Sequence, residues 1–161
     1  MGSNDRQQRC HPLARTCCLD RVQGYAHHVG CLQDRVEDAR LLWDARRREG
    51  AFLVALLAVA ARARQEYPRP IGDRDAFERF IESRFRPRIS VEFRGELHSL
   101  ERVFYKWMRC ELVHDGGLPV DLQFKEDAQP DELSVRAGGS PNYVLLISPG
   151  WFEQLTEWAQ S

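Results

Sequence analysis

The sequence predicts a mainly α protein with a small β element near its C-terminus and a short final helix. Between residues 32 and 114, apolar residues recur at the three- and four-residue spacing of amphipathic helices. Between residues 120 and 147, short apolar stretches alternate with turn residues, which is typical of short strands. A chain of 161 residues is long enough for one domain with a substantial core, and we place that domain at residues 31–161.

The first 30 residues lack sustained periodicity, and we expect a poorly structured extension there. A zinc site is the alternative, because seven of the first 31 residues are of ligand types: Cys10, His11, Cys17, Cys18, His27, His28 and Cys31. Structural zinc sites usually contain C-x₂₋₄-C pairs that face a second pair. This region has no C-x-x-C pair, and no glycine-rich phosphate loop precedes a helix. We therefore predict no metal and no other cofactor.

Several features predict a cytoplasmic protein without a membrane partner. The longest apolar run, Ala51 to Ala61, has eleven residues and is too short to span a bilayer. The N-terminus contains no apolar stretch of the kind found in signal peptides. The five cysteines are then expected to be reduced thiols.

The helical pattern begins at Leu32 and ends before Pro68. It predicts either one helix of about thirty residues or two helices with a kink at Gly50. The apolar residues from Ala51 to Ala61 cover all sides of this helix, so we expect the most buried segment of the protein there.

A third helix follows, with Asp73 or Asp75 as its N-cap residue and Pro87 after its end. Its apolar residues share one face: Phe77, Phe80, Ile81 and Phe85. The next residues, 89–93, alternate between apolar and polar, which predicts a short strand or an extended link.

The central predicted helix covers residues 97–114. At about 100° per residue, one apolar stripe contains Leu97, Leu100, Phe104, Trp107 and Met108. Arg109 lies on the opposite side with Arg102 and Lys106, and His114 lies at the border of the stripe in the last turn. Gly116 and Gly117 are suited to a left-handed C-cap, and Pro119 prevents continuation.

The C-terminal region predicts a β-hairpin at about residues 120–147 and then a helix. Three short stretches have strand character, 120–124, 133–135 and 143–147. Ser148 is a typical N-cap residue, and Pro149 suits the first helical position. We expect the final helix to bury Trp151 or Phe152, together with Leu155 and Trp158.

The formal net charge of −1 is unevenly distributed along the chain. Residues 44–110 contain fifteen Lys and Arg against ten Asp and Glu, a net of +5. Residues 111–161 contain two against nine, a net of −7, and residues 1–43 contain six against five. A basic middle region permits a local site for an anionic ligand.

The functional candidates are Arg109 and His114, which are separated by four residues at the end of the central helix. A histidine near neutral pKa can accept a proton from a hydroxyl and return one to a leaving group. An arginine can stabilise the charge of a phosphoryl transition state through its planar fork of donors. The two residues therefore suffice in principle for metal-free cleavage of RNA by its own 2′-hydroxyl. Because about 140° separates them on an ideal helix, a symmetric dimer would be needed to bring one chain's Arg109 to the other's His114.

The R-x₄-H arrangement at the end of a helix resembles the motif R-x₄₋₆-H of the HEPN superfamily. The context is similar too, because a long apolar helix, GAFLVALLAVAARAR, precedes LERVFYKWMRCELVHDGGLP. The resemblance covers about residues 32–119 and implies an HEPN-like helical bundle that dimerises through the 97–114 helix. It also implies a metal-independent endoribonuclease in defence or toxin–antitoxin systems, with RNA and a cognate antitoxin protein as partners. Arg109 and His114 would be its catalytic residues.

Two neighbours of the motif bear on this hypothesis. Cys110 occupies the position at which active members often have Asn, Asp or His, so a non-catalytic module that binds a nucleotide, RNA or a partner protein is the alternative. A plain interaction domain with an accidental motif is a third reading. Glu111 falls within the apolar stripe, so we expect its carboxylate to pair with an arginine of another element or to lie under His114.

Overall fold

The structure, a computed structural model, describes residues 32–139 and 143–161. The elements are α1 (Leu32–Asp44), α2 (Arg48–Glu66), α3 (Asp73–Arg84), β1 (Ser90–Phe93), β2 (Glu96–Ser99), α4 (residues 100–114), β3 (Leu122–Phe124), β4 (Val135–Gly138), β5 (Val144–Ile147) and α5 (Gly150–Gln160). The predicted mainly α fold with C-terminal strands and a short final helix is confirmed. The predicted extension at residues 1–30, with its cysteines and histidines, lies outside the described residues.

The first helical pattern folds as two helices, and the predicted kink at Gly50 is wrong. The helix α1 ends at Asp44 and α2 begins at Arg48, so Gly50 lies inside the first turn of α2. The chain reverses direction at Arg46, which has a φ of 59°. A residue in this left-handed region ends a helix, because the following amide can no longer continue the helical hydrogen bonds. The two helices then pack against each other as an antiparallel pair.

The helix α2 lies at the centre of the core, although it is not buried on all sides as predicted. Its fully buried residues are Ala51, Phe52, Ala55, Leu56, Ala58, Val59 and Ala63. Leu57, in contrast, is 38% exposed, and Ala61 is exposed as well. The helices α1, α3, α4 and α5 all pack on α2 but leave this side open. None of the helices within the described residues combines the length and apolar content that a membrane crossing requires.

The helix α3 forms where predicted, but its N-cap residue is Gly72 and no side chain caps it. Asp73 is instead paired with Arg64 of α2. Phe77 and Phe80 of α3 are fully buried, as the helical spacing predicted. The ion pair between α2 and α3 fixes the start of α3 beside the end of α2.

A β-hairpin replaces the predicted start of the central helix. The strands β1 and β2 are antiparallel and are joined by Arg94 and Gly95, which have φ values of 55° and 78°. Two successive residues with positive φ are typical of the type I′ turn that joins hairpin strands. Leu97 therefore lies in β2 and is 74% exposed, so its predicted place in the apolar stripe is wrong. The helix begins at Leu100.

The remaining strands form a three-stranded mixed sheet with the order β3-β5-β4. The strand β5 pairs with β4 in antiparallel orientation and with β3 in parallel orientation. Within the range of the predicted β-hairpin, residues 120–147, β4 and β5 form an antiparallel pair, and β3 adds a parallel strand on the other side of β5. The inward-facing residues Leu122, Leu145 and Ile147 of this sheet are buried in the core.

The final helix begins at Gly150, and the hydroxyl of Ser148 does not cap it. Ser148 is fully buried, and its Oγ accepts a hydrogen bond from the Ser134 amide at 2.8 Å and donates one to the Glu132 carbonyl. The predicted N-cap is wrong, since this hydroxyl satisfies two backbone groups of the loop instead. Trp151 is fully buried as expected, and its Nε1 donates to the Ser134 carbonyl at 3.1 Å.

We expect Gly150→Ala to destabilise the protein. A Cβ at this position would lie 2.4 Å from the carbonyl oxygen of Glu132, which is backbone and cannot rotate away. Overpacking of this kind costs about 1–3 kcal/mol or more, which outweighs the roughly 0.5–1 kcal/mol that alanine gains over glycine in a helix. Chemical denaturation measures the change. The matched control is Gly50→Ala in α2, where the nearest atom lies 3.6 Å away and stability should rise. Equal effects of the two substitutions would contradict the predicted clash.

Candidate functional site

The middle of α4, which carries the predicted motif, is a π-helix. The segment Val103–Cys110 is π-helical and is flanked by the α-helical turns Leu100–Arg102 and Glu111–His114. π-Helical turns have i→i+5 hydrogen bonds and occur frequently at functional sites. The wider turn changes the angle between successive side chains, so directions calculated at 100° per residue do not hold here. The buried residues of α4 are Leu100, Val103, Phe104, Trp107, Met108 and Leu112.

Arg109 lies in a cleft between helices. Its Cζ is 5.3 Å from the centroid of the Tyr105 ring, and its Nε is buried without a hydrogen-bond partner. The cleft has a volume of about 240 Å³, and it is also lined by Leu57, Ala60, Ala61, Arg64 and Asp73. No carboxylate oxygen of the described residues lies within 4.0 Å of the Arg109 guanidinium. This cation is therefore held by packing against an aromatic ring and retains its donors for a ligand.

A second cleft, with a volume of about 530 Å³, adjoins the first at Asp73. Its lining residues are Gly72, Asp73, Arg74, Asp75, Arg102, Tyr105 and Lys106. The predicted supporting residues Arg102 and Lys106 are thus brought together with the start of α3. Together the two clefts form one basic groove along α4, which we call the α4 groove.

The cations of the α4 groove differ in their partners. Arg102 is paired with Glu78 at 3.2 Å, and Arg64 is bound by Asp73 and two backbone carbonyls. Lys106 has no carboxylate within 4.0 Å among the described residues, and its Nζ lies 4.1 Å from the centroid of the Trp107 ring. Two lining residues of the groove, Lys106 and Arg109, therefore contact aromatic rings and no carboxylate among the described residues.

His114 lies in the last turn of α4, as predicted, and its side chain is exposed rather than at the border of the apolar stripe. Its side chain makes no hydrogen bond or ion pair with any residue of the described ranges 32–139 and 143–161. The helix then ends at Gly116, which has the predicted left-handed conformation with a φ of 74°. Within one chain Arg109 faces the groove beside α2, whereas His114 lies free at the helix end. The structure does not bring the two side chains into contact.

Glu111 has neither of its two predicted environments. The side chain is half-buried, and its carboxyl lies beside that of Asp115, one turn further along the chain. The hydrogen bond that a protonated Glu111 carboxyl makes with Asp115, followed by burial and the charge of Asp115, raises the pKa of Glu111, and the charges of Arg94 and Lys106 oppose the rise. Arg94 is thus a neighbouring arginine of another element, as expected, but it forms no ion pair with Glu111 in the described residues. Cys110, beside Glu111, is a half-buried free thiol.

Arg94 also belongs to this region, although the sequence pattern did not reveal it. Its Nε and one terminal nitrogen each donate to Asp121 at 2.7 Å, and its Cζ lies 4.5 Å from the centroid of the Trp107 ring. The ion pair raises the pKa of Arg94 and lowers the pKa of Asp121. The glycine at position 95, shortly after an alternating stretch, was the available signal, because glycine adopts the positive φ that a hairpin turn requires. Arg94 joins the hairpin to α4 and to the start of β3.

Within the described residues, no three His, Cys, Asp or Glu side chains are placed to hold a metal ion. A comparison with protein-family models shows that the model named Rv1289 matches residues 31–139, which is more than half of the chain. The chain belongs to the Rv1289 family. The match covers α1 to β4, so both the α4 groove and His114 lie within the part that defines the Rv1289 family. No curated protein and no solved structure is significantly similar to the chain.

We expect Glu111→Gln to stabilise this Rv1289-family protein at neutral pH. The folded-state pKa of Glu111 is raised above its ordinary value of 4.5. Ionisation of this carboxyl therefore costs stability as the pH rises through the interval between the unfolded and folded pKa values, and below that interval the cost disappears. The variant should unfold at a higher temperature than the parent at about pH 7.5, and the difference should vanish near pH 4. Thermal unfolding monitored by circular dichroism measures both.

The control for this measurement is Glu126→Gln, which removes an exposed carboxylate of the loop after β3. It should leave the unfolding temperature unchanged. A lower stability of Glu111→Gln at neutral pH would mean that Arg94 and Lys106, and not Asp115, dominate the environment of Glu111.

Proposed function

We propose that this protein is an HEPN-like, metal-independent endoribonuclease that acts as a homodimer, with Arg109 and His114 as its catalytic residues. The proposal rests on the surroundings of these two side chains, which leave both of them without an ion-pair partner in the described residues. Arg109 is held in the α4 groove with its Nε unpartnered, and His114 is exposed at the end of the same helix. Neither residue forms an ion pair within the described residues, so both retain their hydrogen-bonding capacity for a substrate.

The chemistry requires only these two groups and the RNA itself. His114 accepts the proton of the 2′-hydroxyl, and the 2′-oxygen then attacks the adjacent phosphorus. Arg109 stabilises the additional negative charge on the phosphoryl oxygens in the transition state. The bond from phosphorus to the 5′-oxygen breaks, and the imidazolium returns its proton to that oxygen. The products are a 2′,3′-cyclic phosphate and a 5′-hydroxyl end.

A two-chain site follows from the separation of the motif residues within one chain. Arg109 faces the side of α4 that lies beside α2, where Leu57 is partly exposed, and Val113 of α4 is 49% exposed. These apolar side chains would be covered if α4 and α2 met the same elements of a second copy. In such a two-fold arrangement we propose that the Arg109 of one chain lies near the His114 of the other.

The second candidate is a non-catalytic module that binds RNA or a nucleotide through the α4 groove. Its support is the packing of Arg109 against Tyr105, which directs the guanidinium to a cleft and away from His114. Cys110 also stands in place of the polar residue that often follows the arginine in active HEPN proteins. In either case we propose a cytoplasmic role, with a cognate antitoxin protein as the partner that controls the dimer.

We expect the purified protein to cleave single-stranded RNA in the presence of EDTA and to leave 2′,3′-cyclic phosphate ends. Arg109→Ala and His114→Ala should each lower the rate by about a hundredfold or more, because each removes a transition-state interaction of that size. Gel electrophoresis of labelled RNA measures the rate. Arg79→Ala, which changes an exposed arginine of α3 outside the α4 groove, should retain activity. Saturable RNA binding without cleavage, lost in Arg109→Gln, would favour the second candidate.

A mixture of the two inactive variants tests the two-chain site. A heterodimer of Arg109→Ala and His114→Ala chains contains one composite site with an intact Arg109 and an intact His114. If the site combines residues of two chains, co-expression of the variants should restore cleavage that neither homodimer shows. If the site lies within one chain, the mixture should remain inactive. Light scattering of the parent protein gives the mass in solution, and a monomer would contradict this arrangement.

A further inference from the structure

A basic cleft separate from the α4 groove lies at the corner between α1 and α2. It shares no lining residue with the α4 groove. It has a volume of about 460 Å³, and its walls come from the end of α1, the first turns of α2 and the end of α4. The charged residues that line it are Arg47, Arg48 and Glu49. Neither arginine was predicted from the sequence to be a site residue.

The two arginines of this cleft have no acidic partner. Neither Arg47 nor Arg48 forms an ion pair within 4.0 Å in the described part of the chain. This includes Glu49, which lines the same cleft but forms no ion pair with either arginine. The Cζ of Arg48 lies 5.8 Å from the centroid of the Trp43 ring, which leaves its donors available. Most other arginines of α2 and α3 differ in this respect, since Arg62, Arg64, Arg74 and Arg84 are all paired with carboxylates.

The position of these arginines is unfavourable for folding on its own. Cations at the start of a helix repel the positive end of its dipole, and Glu49 is the one acidic residue in the first turn of α2. Arg46, which precedes them, has a left-handed conformation, which is uncommon for residues other than glycine. A bound anion would neutralise the arginines and the helix terminus together.

The end of α4 connects this cleft with the proposed catalytic site. Leu112 and Gly116 line the cleft, and His114 lies between them in the sequence. We propose that Arg47 and Arg48 bind a backbone phosphate of the RNA, next to the phosphate that is attacked beside His114. This inference rests on the proposed function, because it extends the same substrate over a second subsite. Arginine suits this role, since its planar fork binds two phosphate oxygens at once.

Salt dependence of RNA binding tests the subsite. Each phosphate contact with single-stranded nucleic acid contributes about −0.7 to the slope of the logarithm of the binding constant against the logarithm of salt concentration. In Arg47→Gln/Arg48→Gln one phosphate contact is lost, so the slope should become shallower by about 0.7, and affinity at 0.1 M salt should fall by about fivefold. Fluorescence anisotropy with a fluorescein-labelled oligouridylate measures both. The His114→Ala background prevents cleavage during the titration, and circular dichroism verifies folding.

The matched control is Arg79→Gln/Arg86→Gln, which removes the same charge at two exposed arginines outside the cleft. It should leave the slope unchanged. An unchanged slope in Arg47→Gln/Arg48→Gln, with RNA cleavage by the parent intact, would overturn the subsite and leave the proposed function standing. A shallower slope without cleavage by the parent would support the phosphate site and reject the nuclease. Equal losses in both double variants, or binding to phosphatidylserine vesicles but not to RNA, would overturn the inference.

Discussion

The burial of α2 is the constraint on which the other elements depend. Phe52, near its start, contacts Trp43 of α1, Phe124 of β3 and Phe152 of α5, with ring centroids 6.0, 4.7 and 5.9 Å apart. These contacts join the first helix, the C-terminal sheet and the last helix around one side chain, although they are far apart in the sequence. Because an apolar helix of this kind cannot remain in water, its coverage determines where the shorter elements lie. The side of α2 that stays open is the side that Arg109 faces.

The conformation of α4 decides how the motif is presented. The apolar residues of its π-helical segment are buried in the core. Arg109 of the same segment lines the cleft beside α2. The Arg94 ion pair with Asp121 packs on Trp107 and holds the hairpin against the same helix. The helix that carries the proposed catalytic residues is thus supported on both sides by rigid elements, which suits a site that must hold its groups in a defined geometry.

Charge is distributed in the structure as the sequence indicated, but its pairing could not be predicted. The basic middle region lines the α4 groove and the cleft between α1 and α2, and in each of them arginines or lysines have no acidic partner among the described residues. Several other basic residues, such as Arg102 and Arg94, form ion pairs with acidic residues that are distant in the sequence. Which cations stay available to a ligand is therefore a property of the fold. The match to the Rv1289 family model includes the α4 groove, the cleft between α1 and α2, and the Arg109/His114 motif. The same arrangement can therefore be examined in other members of that family.

The sequence alone determined the types and the approximate places of most elements, because helical periodicity and turn residues act locally. It placed α3 and the left-handed Gly116 correctly, and four of the six buried residues of α4, whereas Val103 and Leu112 were missed. Only the tertiary structure decided the features that depend on distant partners. The strand β5 inserts between β3 and β4, Ser148 satisfies the loop at Glu132 and Ser134, and Leu97 belongs to a hairpin. The side on which Arg109 leaves α4 also depends on the tertiary structure. It is determined by the π-helical segment Val103–Cys110, which the spacing of apolar residues in the sequence did not predict.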